Sequence, residues 1–373
     1  VDGTVRAAYL TARQIHAAAG PNYRADVAAA GTAAPVGIGV IGIEHLHVFE
    51  LVDGLVDAGC RAVAHASATD SLADLYGTWQ SGSEPADVES VLADPRVEVV
   101  VLAGIPSERA DVAVAALHAG KDVLSAKPGV TAVDQLAEVR AAATASGRRW
   151  WVLFSERYAN PAVLRAVELA RAGAIGRVVH VEAAAPHRLS PDERPAWFFD
   201  RERSGGILAD LGTHQVDHFL AATGADADQV RVVASAVGAT RDWGDDPARA
   251  GFEDVGELLL AAPGVRGHHR IDFLEPDGFP TWGDTRLVIT GTDGRLEVRI
   301  AVGDDGQHEP AAVWVTDHRG VHRDDEVGET TWARDLLADR VDGGERFMSR
   351  DHSFAVTALA LEAASVATGW GPP

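Results

Sequence analysis

The sequence predicts two consecutive architectures: an α/β domain with a parallel sheet, then an α+β domain built on a mostly antiparallel open sheet. Three observations carry that prediction. The first half alternates short Val-rich runs with amphipathic helical stretches, the pattern of βαβ units whose sheet is covered on both faces. The second half is dominated by strand-like stretches separated by Gly, Pro and Asp turns, which favours antiparallel pairing. The length, 373 residues, exceeds one simple core, since domains run to roughly 100–200 residues.

Residues 1–34 are Ala-rich with no strand before them, and are read as an N-terminal extension holding one short helix near Val5–Ala19. The first domain is placed at 35–155. Its expected strands are Val36–Ile41, Arg61–Ala66, Val97–Ala103, Asp122–Ala126 and Trp150–Phe154, with helices over His45–Ala58, Glu108–Ala119 and Val133–Ala145. Gly120 and Gly147 fall just past periodic segments, where helices stop. The second domain, 156–373, opens with a helix at Pro161–Ala172. Strands follow at Val178–Ala185, Val230–Val237, Gly256–Ala262, Arg266–Phe273, Thr285–Ile289 and Leu296–Ile300, with one long helix near Ile207–Ala222. Helices at Glu329–Arg340 and Ser353–Thr368 close the chain.

Composition narrows the partners. The formal net charge is −22, from 33 basic against 55 acidic side chains. Such a surface repels phosphate backbones and anionic lipid, so neither nucleic acid nor a membrane is an expected partner. Cys60 is the only cysteine, which excludes an intrachain disulfide and a Cys-built metal site and fits a reducing compartment. No window approaches the ~18 unbroken apolar residues of a membrane span. The first thirty residues lack a secretory pattern, so the expected location is cytoplasmic.

The stretch from Val36 to His47 reads as a strand, a Gly turn and a helix start, the arrangement in which a dinucleotide pyrophosphate meets free N–H groups. It makes the first domain Rossmann-type, with Gly42, Ile43, Glu44, His45 and Leu46 as candidate cofactor contacts. The G-x-G-x-x-G fingerprint would begin at Gly42, but Glu44 fills its second Gly position and His47 its third. A Gly that merely ends a buried strand would give the same pattern. At the end of the second strand stand His65, Ala66 and Ser67, with Asp70 further on, where an NAD-preferring site usually has an acid for the ribose. NAD and NADP therefore both remain open. Gly104, Ile105 and Pro106, beyond the strand ending at Ala103, complete the expected cofactor side.

The run from Asp94-Pro95-Arg96 through Ala116-Leu117-His118-Ala119-Gly120-Lys121 to Ala126-Lys127-Pro128 resembles the glucose-fructose oxidoreductase / inositol dehydrogenase / rhizopine catabolism (Gfo/Idh/MocA) family. The resemblance continues through Arg157-Tyr158, Gly173–Val178, Ser204–Asp217 and Ile289–Glu297, and spans about Val36 to Thr368. Three departures stand out. Ala126 replaces the Glu of the family's Glu-Lys-Pro, Arg109 stands where a His is usual, and the Gly fingerprint is broken.

The resemblance implies a catalytic Lys127 near both nicotinamide and substrate, and raises the expectation of a cis Lys127–Pro128 bond. It also matches Asp210 and His214 to the family's D-x-x-x-H positions. Four residues apart on one helix, they would share a face, with Asp217 one turn on. Read without the resemblance, Lys127 is a surface lysine before a turn, and Asp210 and His214 are a helix-face pair. With it, His214 is the expected base, Lys127 the group that stabilises the reacting oxygen, and Asp210 the residue that holds a neighbouring hydroxyl and tunes His214. Arg157, Tyr158, His187 and Trp197 are the expected substrate wall, with aromatic packing an equal account of Trp197. No metal is required, and His45, His47, His268 and His269 have no convincing ligand spacing.

These readings imply a sugar or cyclitol dehydrogenase using NAD or NADP, in a homo-oligomer (dimer or tetramer) formed through the second-domain sheet. Two alternatives stand beside it: the NAD-dependent glycosidase branch of the family, with no net redox change, and a non-catalytic NAD(P)- or sugar-binding regulator.

Overall fold

The computed structural model describes residues 35–279, 281–299 and 312–370. The expected helix near Val5–Ala19, the rest of the N-terminal extension, and Ile300 lie outside the described residues.

Six parallel strands form the first sheet: β1 (Gly37–Ile41), β2 (Arg61–Ala66), β3 (Glu84–Pro85), β4 (Val99–Leu102), β5 (Asp122–Ala126) and β6 (Trp150–Leu153). Their order, β3-β2-β1-β4-β5-β6, is that of the dinucleotide-binding fold, with the order reversing between β1 and β4. Every residue of β1, β4, β5 and β6 is buried, as a sheet covered on both faces requires. The covering helices are α1 (Val48–Asp57), α2 (Asp70–Trp79), α3 (Val88–Ala93), α4 (Arg109–His118) and α5 (Val133–Ser146). Gly147 ends α5 in the left-handed conformation. The sequence reading passed over α2, β3 and α3. Tyr76 alone is fully buried along α2, while Leu72, Leu75 and Trp79, at helical spacing from it, are half-buried against the core.

The second sheet has nine strands: β7 (Val178–Pro186), β8 (Arg231–Gly238), β9 (Val255–Ala262), β10 (Val265–Asp272), β11 (Arg286–Gly291), β12 (Arg295–Arg299), β13 (Ala312–Asp317), β14 (Gly320–Asp324) and β15 (Thr368–Trp370). Their order is β14-β13-β12-β11-β7-β10-β9-β8-β15. Pairing is antiparallel except for β10 with β7 and β15 with β8. Burial alternates along β9 and β10, so one face packs inward and the other is bare. Helix α6 (Pro161–Arg171) lies against β11, β12 and β13 on the covered face.

One expectation is corrected. The long helix Ile207–Ala222 is two helices, α7 (Gly206–Asp210) and α8 (Gly212–Thr223), meeting at Leu211. The Thr213 hydroxyl donates to the Asp210 carbonyl (2.7 Å) and the His214 N–H reaches back only three residues, to Leu211 (3.2 Å), so the turn tightens there. The chain's last helices, α9 (Trp332–Asp342) and α10 (His352–Val366), do not belong to the second sheet alone. Arg340 of α9 donates to Glu98 (2.7 Å) and Asp122 (3.0 Å), and the Ser353 hydroxyl of α10 accepts the Val152 N–H (2.9 Å). The closing helices thus strap the second half back onto the first. Among the described residues, no helix is long and apolar enough to cross a membrane.

Candidate active site

Ligands of open parallel sheets gather beyond the carboxyl ends of the strands, at the switch in strand order. Here β5 ends at Ala126 and delivers Lys127, whose bond to Pro128 is cis, into that crevice. From the second domain, α7 ends on Asp210. Lys127 Nζ donates to Asp210 Oδ1 at 2.5 Å, with the two side chains only 5% and 10% exposed. This buried ion pair joins the two domains at the crevice floor.

His214, in the first turn of α8, is buried, and its Nδ1 has no hydrogen-bond partner among the described residues. Burial, and then the Lys127 cation, hold its pKa well below the ordinary imidazole value. It is therefore a neutral base at physiological pH. Asp210 was expected to tune it; the Asp210 carboxylate is bonded to Lys127, one turn away from His214 along backbone that stays helical through Leu211.

The wall above this pair includes His187 and a residue the sequence reading missed, Glu156. His187 Nδ1 lies 3.1 Å from the Ala185 carbonyl, so it must donate, and Nε2 of the neutral ring is a bare lone pair. That lone pair faces Glu156 Oε1 at 3.4 Å, while Glu156 Oε2 accepts from Gln215 Nε2 at 3.2 Å. A proton on Oε1 suits the arrangement. Burial pushes the Glu156 carboxyl up to about 8 and the His187 imidazole down to about 4. Only the step from Phe154 into Arg157-Tyr158 could have flagged Glu156, and a lone acid before a known motif carries little signal. Trp197 is placed in the crevice: its ring is 6.0 Å from that of His45 and helps line a cavity of about 450 Å³ with Phe198, Phe199, Asp210, Phe252 and Phe273.

Arg157 and Tyr158, expected in the substrate wall, are spent elsewhere. Arg157 makes a two-pronged contact with Asp217 (2.7 and 2.6 Å), which also takes His352 Nε2 at 2.6 Å. The Tyr158 ring lies under that guanidinium at 3.8 Å and against Phe347 at 4.6 Å. Asp217 is held well below the usual carboxylate range, Arg157 opposing the cost of burial. This cluster braces α8 from behind.

On the nucleotide side, Gly42 has φ of 77°, and a Cβ there would fall 2.3 Å from Gly104 Cα. Only glycine allows this close approach of the two loops. Glu44, Ser67, Gly104 and Ile105 line a second cavity beside Gly42, of about 130 Å³. Ile43 is buried, Leu46 half-buried, and Pro106, also buried, opens a short turn before α4. His45 is buried within reach of the Lys127 and Arg109 charges, and its ring stacks on His47 at 4.6 Å. His65, expected to meet cofactor, turns away: its Nδ1 pairs with Ser83 Oγ (3.0 Å) and its ring packs on Tyr76 (4.8 Å). Arg109 stands behind the crevice, donating to the carbonyls of Gly104, Ala126, Lys127 and Pro128. It fastens the turn that carries Lys127. A Gly-only approach of two loops at the switch point fits a bound dinucleotide, whose phosphates would meet the turn and the start of α1.

Comparison with known proteins places this geometry. A profile described as an oxidoreductase family with an NAD-binding Rossmann fold matches residues 33–154, and the GFO/IDH/MocA C-terminal domain matches residues 163–297. The chain belongs to the Gfo/Idh/MocA oxidoreductase family. A solved protein described as an oxidoreductase, from Erwinia carotovora atroseptica, is 32% identical, with a TM-score of 0.84 over 90% of this chain and 99% of that one. The 1,5-anhydro-D-fructose reductase of Ensifer adhaerens is 27% identical over 69% of this chain and 74% of its own length. The 1-carboxy-3-chloro-3,4-dihydroxycyclohexa-1,5-diene dehydrogenase of Comamonas testosteroni is 31% identical, but the match spans 48% of this chain and only 45% of that relative. A 3-ketoreductase from Actinomadura kijaniata, solved with NADP, shares the fold at 19% identity and a TM-score of 0.73, covering 91% of this chain and all of that one.

The raised Glu156 carboxyl has a consequence for stability. The native state keeps a proton that the unfolded state, near the ordinary 4.5, has lost, so this contribution is complete below 4.5 and fades as pH rises toward 8. Glu156→Gln is expected to match the wild type near pH 4.5 and to exceed it increasingly above, by at most about 1.4 kcal/mol per pH unit. Urea unfolding across that range checks it; a variant no more stable at pH 8 would contradict the neutral-acid assignment.

Proposed function

We propose that this chain is an NAD(P)-dependent oxidoreductase that transfers a hydride to or from a hydroxyl-bearing carbon of a sugar, cyclitol or related polyol. The observation that carries the reading is the buried Lys127–Asp210 pair beside a neutral His214, set in the crevice of an NAD-binding Rossmann domain. Relatives named as a 1,5-anhydro-D-fructose reductase, a D-xylose dehydrogenase and an inositol 2-dehydrogenase/D-chiro-inositol 3-dehydrogenase support the substrate class.

When bound, the nicotinamide supplies the hydride donor or acceptor. His214, kept neutral by burial, takes the proton from the reacting hydroxyl in oxidation and returns it in reduction. Lys127, fixed by Asp210, holds its ammonium toward the reacting oxygen and stabilises the negative charge that develops there. Asp210 keeps one carboxylate oxygen beyond its bond to Lys127 and uses it to hold a neighbouring substrate hydroxyl. Trp197 gives the ring an apolar face, and His187 with neutral Glu156 offers hydrogen bonds along its edge.

The second-domain sheet also suits association. Leu259, Trp314 and Val321 are exposed on its bare face, and we propose a homo-oligomer through it. Sedimentation equilibrium is expected to return a multiple of the 39.2 kDa chain mass; a monomer at tens of micromolar would refute this.

His214→Ala and Lys127→Met are each expected to lower kcat about 100-fold or more on a responsive polyol while leaving reduced-cofactor binding within a few fold. Steady-state kinetics over a sugar and cyclitol panel, with cofactor titration by fluorescence, checks both. Undiminished turnover in either variant would remove that residue from the chemistry. Cofactor retained with no net reduction by any substrate would favour the glycosidase branch.

A further inference from the structure

Two departures seen in the sequence are one arrangement in the fold. The Gly turn carries Glu44 where a glycine is usual, and the end of β2 lacks the carboxylate that commonly meets the adenosine ribose. Glu44 Oε1 accepts the hydroxyl of Ser67 at 2.9 Å, and Ser67 is the residue immediately after β2. Ser67 Oγ in turn accepts the Thr69 N–H at 3.1 Å, which fixes the hydroxyl in place. Glu44 Oε2 accepts the Ile43 N–H at 2.8 Å, so the side chain folds back across its own turn. A Cβ on Gly42 would lie 3.2 Å from that oxygen, and one on Gly104 3.5 Å, which puts the carboxylate at the ends of β1 and β2, over the switch point.

The cavity opening there is lined by Glu44, Ser67, Ala68, Val88, Ile105 and Glu108, among others. Two of its side chains are carboxylates. Its one lining cation, Arg109, is 2% exposed and donates to four backbone carbonyls beneath the Lys127 turn. The cavity therefore offers acceptors to a ribose diol, and the exposed cation bonded to its lining, Arg203, is already paired with Glu108 at 2.9 Å.

We propose that Glu44 is the ribose-binding carboxylate of this chain, delivered from the Gly turn instead of from β2, and that with Ser67 it selects NAD over NADP. The proposal rests on the dinucleotide reading above. A free ribose 2′-hydroxyl donates to the carboxylate in a charge-assisted hydrogen bond. A 2′-phosphate brings a second anion against Glu44, and like charges brought together disfavour that partner.

The test is titration of the full chain with NADH and with NADPH, followed by nicotinamide fluorescence, for wild type, Glu44→Gln and Ser67→Ala, each first shown to melt cooperatively. The wild type is expected to bind NADH at least about 10-fold more tightly than NADPH. Glu44→Gln keeps the shape and removes the charge. It should weaken NADH about 10-fold and strengthen NADPH, closing the gap. Ser67→Ala should shift both affinities in the same directions, by less. Wild type binding NADPH as tightly as NADH would overturn the inference and leave the dehydrogenase reading intact. So would tighter NADH binding by Glu44→Gln, which would make the carboxylate a plug in the phosphate position. Binding of neither nucleotide would overturn both.

Discussion

The Lys127–Asp210 ion pair is the contact on which the arrangement of the site depends. It sits where the carboxyl end of β5 meets the turn between α7 and α8, and so ties a parallel-sheet domain to an antiparallel one at a buried point within the crevice. Two charges so deeply buried are tolerable only together; removing one partner of such a pair typically costs about 3–5 kcal/mol. Burial is the main influence on the protonation of the surrounding groups, and the pair adds to it: the Lys127 cation depresses His214 and His187 further and opposes the rise of Glu156. Arg109 holds the backbone on the Lys127 side, and the Arg157–Asp217–His352 cluster braces α8 on the other.

That bracing explains which parts of the site were legible in the sequence. Lys127, Asp210 and His214 could be named because they fall in ordered motifs matching a family over most of the chain. Periodicity located most strands of both sheets within a few residues, because half-buried and fully buried strands leave distinct patterns of apolar residues. Helix α2 was legible in principle, since Leu72, Leu75, Tyr76 and Trp79 repeat at helical spacing just after the polar stretch Ser67–Ser71. The break at Leu211 was invisible because it depends on a threonine hydroxyl capturing a carbonyl, which leaves no compositional trace.

Side-chain direction was the least legible property. Arg157, Tyr158 and His65 occupy positions adjacent to the crevice yet point into packed neighbours, and a motif cannot report where a rotamer aims. Glu156, one residue from Arg157, points the other way and joins the wall. The broken Gly fingerprint looked like damage when read along the chain. In three dimensions Glu44 reaches a second strand end, and its contact with Ser67 links two sequence positions that no linear motif connects.

Hydride transfer between nicotinamide and a hydroxyl-bearing carbon in this crevice can be followed isotopically: incubate the protein with oxidised cofactor and sugars or cyclitols deuterated at each secondary C–H, then examine the nicotinamide by mass spectrometry. One substrate class is expected to deliver deuterium to the nicotinamide ring, with the corresponding ketone formed in equal amount. Bound cofactor that acquires no deuterium from any member of the panel would contradict it.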